Sequence, residues 1–205
     1  MATAARIART QGERSAAMQR RLLDATVESL SEKGYAGTTT LEVQQRAGVS
    51  RGALLHHYAS RADLILAAVE HLGRQRIAEV ISVAQSSAPA KDRVGWGVRV
   101  LWETFEGPLF TASLELWMAA RSDRELLAVL LPQERILGQA IRSMAHELFD
   151  PESRSPELNE AIELLFDGMR GAAARGVLRA HDSDERLIAS WIGLMHRYID
   201  VPGST

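Results

Sequence analysis

The chain has no cysteine, which excludes disulfides, thiolate catalysis and cysteine-ligated zinc and suits a reducing compartment. Aromatic residues make up only 5% of it, and proline occurs six times. Alternating β-branched runs are nearly missing, so strands are not expected. No stretch approaches the ~20 apolar residues needed to cross a bilayer. The opening residues, MATAARIARTQGERSAAMQ, lack the apolar segment of a secretion signal. A cytoplasmic protein without membrane attachment is the expectation. Neither sign of charge dominates, the formal net charge being −2.

That balance hides an asymmetry. Residues 1–63 hold nine Lys and Arg against six Asp and Glu, which leaves fifteen against twenty for the remainder. A basic front on an acidic rear points to a polyanionic partner at the front only.

The apolar pattern is helical throughout. A first helix is expected from about Ala16 to Lys33, with Leu22, Leu23, Thr26, Val27 and Leu30 facing a core and Gly34 free to adopt positive φ at its end. Thr39 and Glu42 form a capping box opening a short helix to about Arg46. Ser50 is an N-cap for another, from Arg51 to about Tyr58. Ser60 and Asp63 open a long helix from Arg61 to about Val83. After a break at Gln85–Lys91, helices are expected over Asp92–Glu106, Pro108–Arg121, Asp123–Phe149, Pro156–Arg175 and Ser183–Ile199. Pro132 should kink or split the third of these, and residues 150–156 should form a loop. The fold class is therefore all-α, with about nine helices.

Two short helices behind a longer one, joined by a turn containing glycine, have the form of a helix-turn-helix. Gly48 supplies the unusual φ, Ala47 lets the helices approach, and Val49 enters the core. The second short helix opens Ser50-Arg51-Gly52-Ala53, polar or small where a recognition helix meets base edges.

The run Arg21-Leu22-Leu23-Asp24-Ala25-Thr26, Glu32-Lys33-Gly34-Tyr35, Thr38-Thr39-Thr40, Val43, Ala47-Gly48-Val49-Ser50, Gly52, His57-Tyr58 and Ser60-Arg61-Ala62-Asp63-Leu64 resembles the TetR family of one-component regulators. The resemblance implies a flexible basic arm at 1–17, a helix-turn-helix DNA-binding domain at 18–65 and an effector-binding and dimerisation domain at 66–205. It implies a homodimer that binds a palindromic operator in double-stranded DNA and answers to a small-molecule effector, most such proteins being repressors. Carried over by position, Thr38, Thr39 and Thr40 would contact phosphate, Arg51, Gly52 and Ala53 the bases, His57 and Tyr58 the backbone, and Arg61 a phosphate. Leu55 departs from the family, which often has tyrosine there; His56 is the candidate to replace its backbone contact. Arg6, Arg9 and Arg14 are placed to enter a minor groove. An activator, a regulator that needs a co-repressor, and a helical adaptor with a vestigial helix-turn-helix are the alternatives.

Other chemistry finds no support. His56 and His57 point ~100° apart on a helix and do not converge on a metal. His146-Glu147 has no second histidine in register, and Gly95-Trp96-Gly97 lacks the third glycine of a dinucleotide loop. No catalytic constellation, metal site or cofactor motif is present, so a non-enzymatic protein is expected.

Five of the eleven aromatics gather in the middle of the chain, at Trp96, Trp102, Phe105, Phe110 and Trp117, beside Met118. With the polar Arg99, Glu103, Glu115 and Arg121 nearby they suggest a pocket for a small, largely apolar effector, for which Arg99, Trp102, Glu103, Phe105, Phe110, Trp117, Met118 and Arg121 are the candidates. On the last helix, Leu187, Trp191, Leu194 and Tyr198 make one apolar stripe and Ile188, Ile192, Met195 and Ile199 a second, together spanning roughly 160°, wider than one buried side requires. Gly168 and Gly171 on the preceding helix suggest close helix approach. Gly168, Gly171, Trp191, Met195 and Tyr198 are therefore the expected dimer contacts.

Overall fold

In the computed structural model the residues described are 2–84, 92–149, 156–176 and 184–199, and the regular structure among them is nine α-helices. These are α1 (Ala2–Gly37), α2 (Thr40–Ala47), α3 (Arg51–His57), α4 (Arg61–Ala84), α5 (Arg93–Glu103), α6 (Gly107–Ala120), α7 (Arg124–Phe149), α8 (Pro156–Gly176) and α9 (Asp184–Ile199). No helix among the described residues is long and apolar enough to cross a membrane.

The first helix buries Leu22, Leu23, Thr26, Val27 and Leu30. It is broken at Gly34, whose φ of 71° and ψ of 176° belong to a region open in practice only to glycine. One further turn, Tyr35–Gly37, completes α1. Thr39 then caps α2, its Oγ1 accepting the Glu42 N–H at 3.1 Å. The return half of the expected capping box is not made: the Glu42 carboxylate accepts instead from Lys33 Nζ at 2.7 Å and Arg46 Nη2 at 3.3 Å. Gly48 ends α2 in the left-handed conformation, with φ 62° and ψ 41°. Ser50 Oγ accepts from the Ala53 N–H at 3.2 Å to start α3, and Ser60 Oγ accepts from the Asp63 N–H at 3.1 Å to start α4. The short α2 and α3 close with α1 and α4 over a core of Leu22, Leu23, Ala25, Val43, Ala47, Leu54, Tyr58, Leu64 and Ala68, with Met18 and Val49 at its margin. Burial of a Leu or Val side chain contributes ~1.5–3 kcal/mol, which outweighs the poor intrinsic stability of helices this short.

Two expectations change. The first helix begins at Ala2 rather than near Ala16, so the expected arm is continuous with α1; the side chains of Arg6 and Arg9 lie outside the described residues, and Arg14 is exposed. Pro132 does not split α7, which runs unbroken to Phe149. The cost of an interior proline, ~3 kcal/mol, is met by the burial of Leu126, Leu130, Leu137, Ile141 and Met144 along that helix. The breaks expected at 85–91 and 150–155 lie outside the described residues. One compact unit comprises Met1–Arg74 with Thr111–Gln133, and the other Gln75–Phe110 with Glu134–Thr205.

Within the first unit the corner after Gly34 is held from two later helices. The Tyr35 N–H donates to Glu115 Oε2 of α6 at 2.8 Å. Arg61, at the start of α4, donates from Nε to the Thr38 carbonyl at 2.7 Å and from Nη2 to the Tyr35 carbonyl, and its guanidinium stacks 4.4 Å from the centre of the Tyr35 ring. In the second unit, Trp102 and Trp191 lie with ring centres 5.3 Å apart, and Phe105 contacts Phe110 and Phe166 at 5.6 and 6.2 Å.

The two positive-φ glycines of the first unit should respond unequally to alanine. Gly48→Ala adds only the left-handed penalty, about 1–2 kcal/mol. Gly34→Ala places a side chain in a glycine-only region, at ~1–3 kcal/mol, and its Cβ would sit 2.7 Å from Glu115 Oε2. Urea unfolding should therefore show the larger loss for Gly34→Ala; a smaller loss there would contradict the tight corner.

Candidate nucleic-acid interface

α3 is seven residues long and turns one side outward. Arg51, Gly52, Leu55 and His56 are exposed, Leu54 is buried, and Ala53 and His57 are half-buried at the edges. At ~100° per residue the four exposed positions occupy a single arc of about 140°. Arg51 makes no ion pair among the described residues. From α2, Thr39 is exposed and Thr40 half-buried.

Three of the expected DNA contacts are engaged within the fold. Thr38 is fully buried, and its hydroxyl donates inward to the Gly34 carbonyl at 2.8 Å, with Ser29 Oγ 3.1 Å away. Tyr58 is buried in the core between α1 and α4, and burial pushes its phenol pKa up; its hydroxyl has no surface from which to reach a phosphate. Arg61 donates from Nε and Nη2 to the Thr38 and Tyr35 carbonyls and so shapes the corner that precedes α2.

The positive surface is narrower than the count of basic residues suggests. Arg46 faces Glu28 at 3.5 Å, Glu32 at 2.6 Å and Glu42 at 3.3 Å, while Lys33 takes the other oxygen of Glu42. The hydrogen bond from Arg46 holds the Glu32 carboxyl below its usual range, and that from Lys33 does the same for Glu42. Arg21 donates to the Ala47 carbonyl and so closes the end of α2. Arg14, Arg20 and Arg51 remain as exposed cations of this region. The His56 and His57 rings meet edge to face, 5.4 Å apart, and no cluster of three metal-ligating side chains occurs among the described residues.

The candidates for an effector pocket are divided between the units. Trp117, Met118 and Arg121 belong to the first, the other five to the second. Met118 is 61% exposed, and Arg121 and Glu103 are on the surface. Arg99 is taken up by a two-pronged surface pair with Glu185, at 2.8 and 3.0 Å. Of these candidates, Phe105 and Phe110 are brought together, with Phe166 against Phe105, while Trp102 packs on Trp191. Glu115 faces Tyr35 in the first unit.

Of the expected dimer contacts, Trp191 and Met195 are buried inside their own chain; Trp191 packs on Trp102, and its Nε1 stands where a side chain at Gly168 would clash, 3.0 Å from the added Cβ. Tyr198 is half-buried, and Gly171 is open to the outside.

Sequence reasoning missed Arg76. This side chain is 2% exposed, donates from Nη2 to the Thr104 carbonyl at 2.8 Å and lies 5.4 Å from the centre of the Phe110 ring. Burial lowers its pKa, opposed by Glu79 and Glu134. The signal was available, since Arg76 occupies the position between Leu72 and Val80 in the apolar stripe of α4.

The model of bacterial regulatory proteins of the tetR family matches residues 22–68, which run from the core of α1 into α4. An HTH-type transcriptional regulator of Mycobacterium tuberculosis (strain ATCC 25618 / H37Rv) is 31% identical over 197 residues, 92% of this chain and 98% of the relative. The chain belongs to the TetR family of bacterial transcriptional regulators. The HTH-type transcriptional regulator CymR of Pseudomonas putida is 30% identical over 172 residues, 82% of this chain and 84% of that protein. Among solved structures, a TetR-family member from Streptomyces coelicolor A3 has the same fold, with a TM-score of 0.63 at 23% identity over 90% of this chain and 99% of that one. So does the multidrug binding protein EbrR complexed with imidazole, with a TM-score of 0.59 at 21% identity over 91% and 97% of the two chains.

In this TetR-family chain, then, Thr38, Tyr58 and Arg61 are engaged within the fold. Arg61→Ala should weaken DNA binding only by loosening the corner. The slope of log affinity against log salt should therefore stay as in the parent, whereas removal of a true phosphate contact lowers it by ~0.9 per subunit, or about 1.8 for two subunits on one site. A slope reduced by that amount would return Arg61 to the phosphate set.

Proposed function

We propose that this TetR-family regulator is a homodimeric repressor that acts in the cytoplasm. It reads a palindromic operator in double-stranded DNA with α3 and leaves it when a small, largely apolar effector binds among the C-terminal helices. The observation that carries the DNA half is the outward arc of α3, on which Arg51 stands without an ion pair among the described residues while Lys33 and Arg46 are neutralised by carboxylates. Arg51, Gly52 and Ala53 face the bases, with His56, His57, Thr39 and Thr40 toward the sugar-phosphate backbone. Phosphate contacts position such a helix, and base-edge contacts specify the site.

Pairing of the last two helices with those of a second copy is supported by what their outer sides carry. Leu164 is 50% exposed, and a Cβ added at Gly171 or Gly193 would meet no atom within 4 Å. Leu187, Ile192, Leu194 and Tyr198 are half-buried. With Trp191 and Met195 turned inward, the contact set becomes Leu164, Gly171, Gly193 and Tyr198. A twofold axis there suits a palindrome, whose half-sites are read by two identical helices.

The effector half rests on two sets of aromatics in the second unit, Phe105, Phe110 and Phe166 with Arg76 beside Phe110, and the pair Trp102 and Trp191. EbrR, of the same fold, has been seen complexed with imidazole and with ethidium. Release needs an effector with different affinities for the DNA-bound and free conformations; occupancy alone shifts nothing.

Two outcomes follow. Arg51→Ala should weaken operator binding by about 5- to 150-fold, the ~1–3 kcal/mol of a lost base contact, with an unchanged melting temperature. Binding by the parent should fall steeply as salt rises. Unchanged affinity in the variant, or a flat salt response, would contradict the assignment. Separately, Gly193→Arg should convert the dimer to monomer in sedimentation, and a dimer that persists would move the interface elsewhere.

A further inference from the structure

The outward arc of α3 contains a feature that the fold does not require. Leu55 is 43% exposed, one turn along from Arg51 on the same side, whereas the fold's own need for an apolar residue in this helix is met by the buried Leu54. Gly52, on the same arc, has no internal reason to be glycine. Its φ is not positive, and an added Cβ would come no closer than 4.0 Å to Ser50 Oγ. A helical glycine costs ~1 kcal/mol relative to alanine, so a bare backbone here is a feature directed outward. The arc therefore combines a cation, a place where another surface can come close to the backbone, and an uncovered apolar side chain.

The floor of the major groove offers a match to that combination. Guanine presents two acceptors to an arginine fork, and the apolar group exposed there is the C5-methyl of thymine. We propose that Leu55 is a specificity-determining residue that packs on the C5-methyl of a thymine in each half-site. Gly52 lets the helix descend far enough for that contact, and Arg51 takes a guanine nearby. Four residues advance a helix by ~6 Å, and successive bases are ~3.4 Å apart, so the thymine lies within about two base pairs of the guanine. The inference rests on the reading of α3 as the recognition helix. The occupant is DNA because Leu55 shares its arc with Arg51, the exposed cation of α3.

The test begins with enrichment of duplexes from a random pool by the full-length protein. Each thymine of the enriched site is then replaced singly by uracil, which removes the methyl and nothing else. Titrations should reveal one thymine per half-site at which uracil lowers affinity about fourfold, the effect of one buried methyl. 5-Bromouracil, which refills the methyl volume, should restore binding. Leu55→Ala should bind the thymine and uracil duplexes equally, with an unchanged melting temperature, and Leu55→Met should keep the preference. An enriched site in which no uracil matters, or a preference undiminished in Leu55→Ala, overturns the proposal while leaving DNA recognition intact. Failure to enrich any duplex overturns the reading of α3 itself, and this inference with it.

Discussion

The turn between Gly34 and Thr38 is the constraint on which the DNA-binding part of this molecule depends. The helices that follow it have only eight and seven residues, too few to hold a position by themselves. Their placement is set by where α1 stops and by the direction in which the chain leaves it. Gly34 provides the stop through a backbone conformation other residues avoid. Arg61 then fixes the exit by bonding the carbonyls of Tyr35 and Thr38, and Glu115 fixes it from α6 by accepting the Tyr35 N–H. Buried Thr38 closes the same turn from inside, through the Gly34 carbonyl.

This arrangement also sorts the charges. Side chains that a count of basic residues would assign to DNA are used to build the support: Arg21 at the end of α2, Arg46 and Lys33 in the carboxylate cluster, Arg61 at the corner. Exposed ion pairs of this kind contribute little stability each. Their effect on recognition is subtractive, because they leave the surface around α3 with few competing cations. In the proposed reading, specificity falls to the short arc from Arg51 to His56, where an apolar side chain stands among polar ones.

The local parts of the fold were legible in the sequence. Thr39, Ser50 and Ser60 cap the helices as their positions implied, Gly34 and Gly48 adopt positive φ, and Leu22, Leu30, Leu54 and Leu64 are buried. Those features depend on neighbours a few residues away. What escaped were side chains whose role is decided by distant partners. Arg61 meets carbonyls 23 and 26 positions earlier, Tyr35 meets a carboxylate 80 positions later, and Trp191 turns inward because Trp102 and Gly168 receive it. Family resemblance could not supply these, since it carries the roles of positions and not the rotamers of this chain. Pro132 belongs with them, as a helix breaker overridden by the apolar burial on either side of it.

Glu115 offers the most direct test of the corner, because it touches no part of the outward arc of α3 and bonds only the turn before α2. The decisive measurement is the operator affinity of Glu115→Ala over a salt series, with exchange of the Tyr35 amide followed in the same protein. The account predicts that the amide exchanges faster and that affinity falls about tenfold, the size of ~1.4 kcal/mol lost at a buried or charged hydrogen bond, with the salt slope unchanged. Faster exchange with parental affinity would contradict it, and would mean that the helix-turn-helix holds its pose without the corner.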